Sequence, residues 1–200
     1  ICKHDDIKKW YDYVPSADGV LIGGFNLLNE WMIRSEVRDA LYKLYVRNLN
    51  TNEEEELIIT NEKVISPAVA LMQKNRNTNK IYIAYESPKI PGKSYIYDIA
   101  TKEKKLVKEE IVPSGHQPDD YIVERLNCDS HDGKKIPLTI TRHKKTKLDG
   151  TANLLLYAYG SYGASMGPGF SSSRLSLINR NIIWVTAHIR GGMERGMSWW

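Results

Sequence analysis

The sequence has few of the features that would place a protein outside the cytoplasm or around a metal ion. Its two cysteines, Cys2 and Cys128, lie far apart and form neither a disulfide framework nor a metal-binding spacing. No run approaches the ~20 apolar residues of a membrane span, and the start lacks the basic-then-apolar pattern of a signal peptide. We therefore predict a cytoplasmic location, no membrane partner and no metal or other cofactor.

A strong charge of either sign is also missing. Lys and Arg number 28 and Asp and Glu number 24, which gives a formal net charge of +4. The basic residues are scattered and are not interleaved with aromatic residues, so we expect no nucleic-acid partner. With 42% hydrophobic residues over 200 positions, the chain has the composition of one or two ordinary globular domains.

The first 110 residues carry a weak internal repeat at an offset of 50 residues. The aligned segments are residues 30–36 with 80–86, and residues 46–51 with 96–101. Each unit consists of short predicted strands around a polar hairpin tip, which is typical of β-propeller blades. The four glutamates at 53–56 are expected at a solvated tip of the first unit, with lysines at the equivalent tip of the second.

The pattern changes near residue 111. A turn-rich connector is followed by a predicted strand at 121–128, a turn, and a second strand at 136–143. We therefore predict two domains, residues 1–115 and residues 116–200. His131 and Asp132 in the turn are neighbours in sequence that point apart, and we do not expect them to form a catalytic pair.

The richest part of the chain is a predicted strand–helix–strand unit. The apolar run at 154–157 predicts a strand covered on both faces, and the branched and aromatic residues at 182–185 predict a second strand. Residues 171–180 predict a helix that Asn181 ends in the left-handed conformation. In such units the ligand lies beyond the carboxyl end of the strands, where Gly160 and Gly163 occur.

Three motifs carry a family resemblance: DGKKIP at 132–137, YAYGSYGAS at 157–165 and SLINRNIIWVTAHIRGG at 176–192. They resemble the prolyl oligopeptidase family of serine peptidases, and most closely its oligopeptidase B branch. The resemblance implies the last blades of an all-β propeller followed by the first part of an α/β-hydrolase domain. It also implies hydrolysis of short peptides through an acyl-enzyme, after Arg or Lys.

Two other functions stay open at this point. The chain could be a propeller interaction module without enzymatic activity, or it could belong to another α/β-hydrolase such as a lipase or esterase, which YGSYG in place of an HGGG-type loop disfavours. The oligomeric state is left open by the sequence.

We expect the nucleophile of an α/β-hydrolase to lie outside this sequence. Ser165 has glycine at both −2 and +2, namely Gly163 and Gly167, but it lies in the loop between the predicted strand at 154–157 and the predicted helix at 171–180 and not on a sharp strand-to-helix turn. Ser161 has Gly163 after it but Tyr159 before it. In that fold the acid and the histidine follow the serine, so we expect none of the three catalytic residues here. We interpret the chain, which begins at Ile1 and stops at Trp200, as a fragment that is inactive alone.

Tyr159 is the predicted catalytic residue, because it follows the first strand of the unit, where α/β-hydrolases place an oxyanion donor. The resemblance implies that its hydroxyl is that donor. Five residues are predicted to support the loops around it: Gly160, Arg190, Gly191, Gly192 and Glu194. We expect an Arg190–Glu194 ion pair and a structural hydrogen-bonding role for His188.

The chain departs from the family motifs at four positions. Ala158 and Met193 replace glycines, which is harmless where the backbone does not need a positive φ. Gly167 and Gly169 stand where some oligopeptidase B members carry two acids that are proposed to recognise a second basic residue. A preference for dibasic substrates is therefore in doubt.

Overall fold

The computed structural model describes residue 8 and residues 10–72 and 76–200. Cys2 lies outside these residues, whereas Cys128 is an exposed free thiol. In the described ranges, twelve strands form three four-stranded sheets. No helix of these ranges has the length and hydrophobicity needed to cross a bilayer.

The first two sheets are successive antiparallel blades, as the repeat predicts. The first, in spatial order, consists of β1 (Val20–Leu27), β2 (Trp31–Arg38), β3 (Leu41–Asn48) and β4 (Glu54–Glu56). The second consists of β5 (Ser66–Leu71), β6 (Lys80–Glu86), β7 (Lys93–Asp98) and β8 (Lys104–Glu109). The aligned segments fall on the second and third strands of each blade, so the repeat is confirmed.

The turn after the third strand shows why the repeat is visible in sequence. The side chains of Asn48 and Asp98 each accept hydrogen bonds from the backbone amides two and three residues further on. Asn52 and Lys102 then take left-handed φ values of 61° and 62°. A short polar acceptor at the end of the third strand is the local signal that the two blades share.

The two blades share one apolar core. Alternation along β6 buries Ile81 and Ile83 and leaves Tyr82 between them on the outer face. The buried members of the core cluster come from both blades: Leu28, Ile33, Leu44, Val46, Leu57, Ile59, Ile81, Ile83, Tyr85 and Ile99.

The acidic segment lies in a different place from the one predicted. Three of its glutamates form β4, which pairs with β3, so they lie on an edge strand and not at a hairpin tip. Their carboxylates face cations of the same blade and of the next tip. The ion pairs are Glu54 with Arg34 and Arg47, Glu56 with Lys43, and Glu55 with Lys102.

The third sheet is mixed and has the order β11-β12-β10-β9. Its strands are β9 (Tyr121–Asp129), β10 (Lys135–His143), β11 (Leu154–Ala158) and β12 (Ile183–Ala187). β11 and β12 are parallel and are joined by the helix α1 (Ser172–Ile178), which Ser171 caps. The helix is shorter than predicted, but Asn181 has the predicted left-handed φ of 63°.

The prediction that residues 154–157 are covered on both faces is wrong for the described structure. Leu154 and Leu156 are 57% and 62% exposed. β11 is the edge strand, and α1 packs over β12 and β10, where Leu175 and Ile178 are buried. The exposure of these leucines follows from the order of the strands in the sheet, because a local apolar run does not encode whether its strand is central or at an edge.

The side chain of His116 anchors the connector that joins the second blade to the mixed sheet. Its Nε2 lies 2.6 Å from the carbonyl oxygen of Lys89 in the second blade. Its ring stacks on Tyr121 at 4.9 Å and meets the edge of Phe170 at 5.3 Å, both in the following unit. The change of architecture thus falls between Glu109 and Tyr121.

We predict that Arg34→Ala destabilises the first blade strongly. Arg34 is 6% exposed and binds the buried Glu36 through Nε at 3.0 Å and through Nη2 at 2.7 Å. Removing it leaves a buried carboxylate whose remaining cation is Arg38, so the free energy of unfolding should fall by about 3 kcal/mol. Urea denaturation of the chain measures this loss. Lys102→Ala, which breaks an exposed ion pair, is the control and should leave the midpoint unchanged.

Candidate active site

The parallel strands β11 and β12 end side by side and release two glycine-rich loops. We refer to residues 159–169 as the tyrosine loop and to residues 188–196 as the glycine loop. The two loops continue the pairing of the strands, since Gly163 and Gly192 form a parallel bridge and the Gly163 amide donates to the Gly191 carbonyl at 2.9 Å. The site predicted beyond the carboxyl ends of the strands is therefore one continuous backbone surface.

Close backbone approach explains the glycines of this surface. A Cβ atom on Gly160 would lie 2.3 Å from the carbonyl oxygen of Arg190. Gly191 has a φ of +94°, and a Cβ there would lie 2.0 Å from the carbonyl oxygen of Gly160. Contacts below 3 Å exclude any side chain at either position without movement of the backbone.

Tyr159 is the first residue after β11. Its side chain is 40% exposed, and its hydroxyl makes no hydrogen bond with any residue that the structure describes. The hydroxyl is thus free to donate to a group in solution. Ala158 is the last residue of β11 and pairs with Ala187, so alanine fits there as ordinary strand backbone.

Arg190 contacts the hairpin between β9 and β10 and not Glu194. Its guanidinium forms an ion pair with Asp132 and donates to the Ser130 hydroxyl at 3.3 Å. The predicted Arg190–Glu194 ion pair is therefore wrong, because the two side chains leave the glycine loop in different directions. The hydrogen bond from Arg190 lowers the pKa of Asp132 to about 2. No sequence signal joined two residues that are 58 positions apart.

Glu194 is fully buried beneath the two loops. Its Oε1 accepts a hydrogen bond from the Met166 amide of the tyrosine loop at 2.8 Å and lies 3.9 Å from Nδ1 of His188. His188 is also buried, and its Nε2 lies 2.8 Å from the Thr139 hydroxyl, which fits the predicted structural role. A Cβ on Gly192 would lie 2.1 Å from Oε2 of Glu194, so the carboxylate requires glycine there.

The blades contact the tyrosine loop at Gly167 and Gly169, the two glycines that stand where some oligopeptidase B members carry acids. A Cβ on Gly167 would lie 3.5 Å from the Tyr42 hydroxyl, and one on Gly169 would lie 2.6 Å from Oε1 of Glu86. Burial raises the pKa of the Glu86 carboxyl. Sequence reasoning missed Glu86, since a residue of the second blade carries no local signal that it lies beside this loop.

No group of three or more His, Cys, Asp or Glu side chains in the described residues is placed to hold a metal ion. The polar groups of the site are thus the Tyr159 hydroxyl, backbone amides and the buried or paired charges around them.

The two successive blades place the chain among the β-propeller proteins. Residues 2–110, more than half of the chain, match the family described as prolyl oligopeptidase, N-terminal beta-propeller domain. The chain belongs to the prolyl oligopeptidase family, which confirms the resemblance drawn from its motifs.

Individual relatives are similar to between about two thirds and nearly all of the chain. Dipeptidyl aminopeptidase BI of Pseudoxanthomonas mexicana is 34% identical over 194 residues, which are 96% of this chain and 26% of that protein. Protease 2 of Moraxella lacunata is 33% identical over 130 residues, 65% of this chain and 19% of that protein. The solved structure of oligopeptidase B from Trypanosoma brucei with covalently bound antipain, in its closed form, matches with a TM-score of 0.84 and 28% identity over 92% of this chain and 27% of that one. The chain thus spans about a quarter of the length of such relatives.

Because Arg190 forms an ion pair with Asp132, we predict a low pKa for the Asp132 carboxyl. Asp132 should titrate at about 2 in the folded chain, and in Arg190→Ala its pKa should rise toward the ordinary value of ~3.9. Because the folded pKa is the lower one, the stabilisation is complete above pH ~3.9 and is lost as the pH falls toward 2. Carboxyl ¹³C shifts followed against pH measure both values, and an unchanged pKa in the variant would contradict the pairing.

We further predict that Gly160→Ala disrupts the contact between the two loops. The new methyl group would overlap the Arg190 carbonyl and the Ile189 side chain, so the free energy of unfolding should fall by about 1–3 kcal/mol. Gly24→Ala is the matched control, because a Cβ on Gly24 meets no atom within 4 Å. Equal urea midpoints for the two variants would argue against the close approach.

Proposed function

We propose that this chain is part of a serine oligopeptidase and supplies the last propeller blades and the first part of its α/β-hydrolase domain, divided near residue 115. Membership of the prolyl oligopeptidase family supports the peptidase class. The parallel β11-α1-β12 unit within a mixed sheet supports the assignment of the second part. The family membership also favours a peptidase over a binding module without activity.

The proposed chemistry rests on one observation. The Tyr159 hydroxyl, which follows the carboxyl end of β11, forms no hydrogen bond with any residue that the structure describes. Acyl transfer passes through a tetrahedral intermediate whose oxygen bears a developing negative charge. A tyrosine hydroxyl held at that point would donate a hydrogen bond to this oxygen, beside a backbone amide next to the nucleophile. The glycine contacts to Arg190 and Gly191 would fix the backbone that follows Tyr159.

The remaining catalytic groups are proposed to lie outside this sequence. Ser165 stands between Gly163 and Gly167 as in G-x-S-x-G, but it lies in the middle of the tyrosine loop, between the end of β11 at Ala158 and the start of α1 at Ser172, and not on the sharp strand-to-helix turn that presents such a nucleophile. In this proposal the nucleophile, base and acid come from another part of the protein, and the chain alone does not hydrolyse peptides. Its expected cytoplasmic location stays a prediction.

Short peptides are the proposed substrates, because a propeller over the site would restrict access to it. Cleavage after Arg or Lys is proposed from the likeness to oligopeptidase B. Gly167 and Gly169 provide no carboxylate for a second basic residue, and the carboxylate that approaches Gly169 belongs to Glu86.

Tyr159→Phe tests this proposal in the complete protein that carries the chain. The hydroxyl would meet charge that exists only in the transition state, so kcat and kcat/KM should fall together, by about 10²-fold, with little change in KM. That loss corresponds to one oxyanion donor at ~2.7 kcal/mol. Steady-state kinetics on a peptide reporter measure it.

Tyr157→Phe is the matched control, since it removes a hydroxyl from the same strand end while its ring keeps its stacking on Trp184. Its kcat should stay within twofold of the unmodified enzyme. If Tyr159→Phe loses less than about threefold in kcat with an unchanged melting temperature, Tyr159 is a packing residue and the catalytic assignment fails.

A further inference from the structure

A buried carboxylate is one of the anchors of the tyrosine loop. The Gly163 amide donates to the Gly191 carbonyl, and Arg174 donates to the Gly169 carbonyl at 3.2 Å. Between these two points the Met166 amide donates to Oε1 of Glu194 at 2.8 Å. Glu194 is 0% exposed. Hydrogen bonds to an ionised acceptor are roughly twice as strong as neutral ones, and burial limits the competition from water.

A chain of hydrogen-bonded side chains from the mixed sheet ends beside that carboxylate. Nη1 of Arg125 donates to the Thr139 hydroxyl at 2.8 Å, and the same hydroxyl lies 2.8 Å from Nε2 of His188. Arginine can only donate, so the Thr139 hydroxyl accepts that bond, and it can in addition donate to or accept from Nε2 of His188 according to the tautomer of the ring. The other ring nitrogen, Nδ1, lies 3.9 Å from Oε1 of Glu194.

The backbone of the same residue is tied to the first blade. The carbonyl of Glu194 accepts a hydrogen bond at 2.9 Å from the amide of Ala40, in the turn between β2 and β3. The neighbouring Asp39 accepts from Arg195 at 2.6 Å through its side chain and from Arg125 through its carbonyl. Both turn residues have left-handed φ values, 51° and 59°, as a tight two-residue hairpin requires.

Glu194 is therefore bonded to the hairpin on one side and to the tyrosine loop on the other. We propose that Glu194 is a positioning residue that fixes the tyrosine loop, and with it the Tyr159 hydroxyl, relative to the β2–β3 hairpin of the first blade. This inference rests on the proposed catalytic role of Tyr159. It assigns to the blade a part in aligning the oxyanion donor and not only in covering the site.

A double-mutant cycle in the complete protein tests the proposal. Glu194→Ala should lower kcat about tenfold with KM within twofold, because a displaced donor weakens only the transition state. In the presence of Tyr159→Phe the same substitution should lower kcat less than twofold further, since there is no hydroxyl left to misplace. A residue that acts only on global stability would give independent effects.

Hydrogen–deuterium exchange supplies a readout that does not need activity. Peptides that cover residues 159–169 should exchange faster in Glu194→Ala, whereas Glu194→Gln should exchange close to the unmodified protein, because its amide oxygen still accepts from Met166. Asp39→Gly keeps the left-handed turn and removes the bond to Arg195, and it should raise exchange in the same peptides to a smaller extent.

The outcomes separate the two proposals. If Tyr159→Phe loses kcat but Glu194→Ala changes neither exchange nor kcat, or if the two losses in kcat are independent, the positioning role is overturned and the catalytic role stands. If Tyr159→Phe itself is silent, the proposed catalytic role of Tyr159 fails, and the positioning role fails with it. Should Glu194→Ala not fold, unchanged exchange over residues 159–169 in Asp39→Gly, with no loss of kcat in that variant, overturns the positioning role.

Discussion

The in-register parallel pairing of β11 with β12 is the constraint on which the candidate site depends. Leu154 pairs with Ile183 and Ala158 with Ala187, so both strands end at the same level and release their loops one strand spacing apart. At that separation the loops meet through their backbones, and residues without a side chain are needed where Gly160 faces Arg190. On the same glycine loop, Arg190 contacts Asp132 in the β9–β10 hairpin, and Glu194 contacts Met166 in the tyrosine loop.

Several ionisable side chains meet at the junction between the first blade and the mixed sheet. Burial lowers the pKa of the Arg125 guanidinium, and the nearby Asp39 opposes this shift. Burial and the charge of Glu194 both raise the pKa of the Tyr42 hydroxyl. Because an ion loses several kcal/mol of solvation on burial, such groups are tolerated only where partners are already in place. At this junction the β2–β3 hairpin meets the glycine loop through the Ala40 amide on the Glu194 carbonyl and through Arg195 on Asp39.

Local patterns account for the parts of the fold that the sequence predicted. The polar acceptors Asn48 and Asp98 mark equivalent turns, and alternation along the blade strands marks their inner faces. The helix after the Ser171 cap and the left-handed Asn181 were predictable for the same reason, since each depends on neighbours within a few residues. The presence of glycines at the strand ends was a signal of close approach, although it did not say which backbone approached.

What the sequence alone determined, then, is the order of blades, the strand–helix–strand unit and the family, all of which rest on short-range periodicity and contiguous motifs. Only the tertiary structure decided the partners of the charged residues, namely Asp132 for Arg190, and Met166 and His188 for Glu194. It also decided that β11 is an edge strand. The reason is physical: an ion pair or a covered face is set by the spatial order of the strands, and that order brings together residues that lie tens of positions apart.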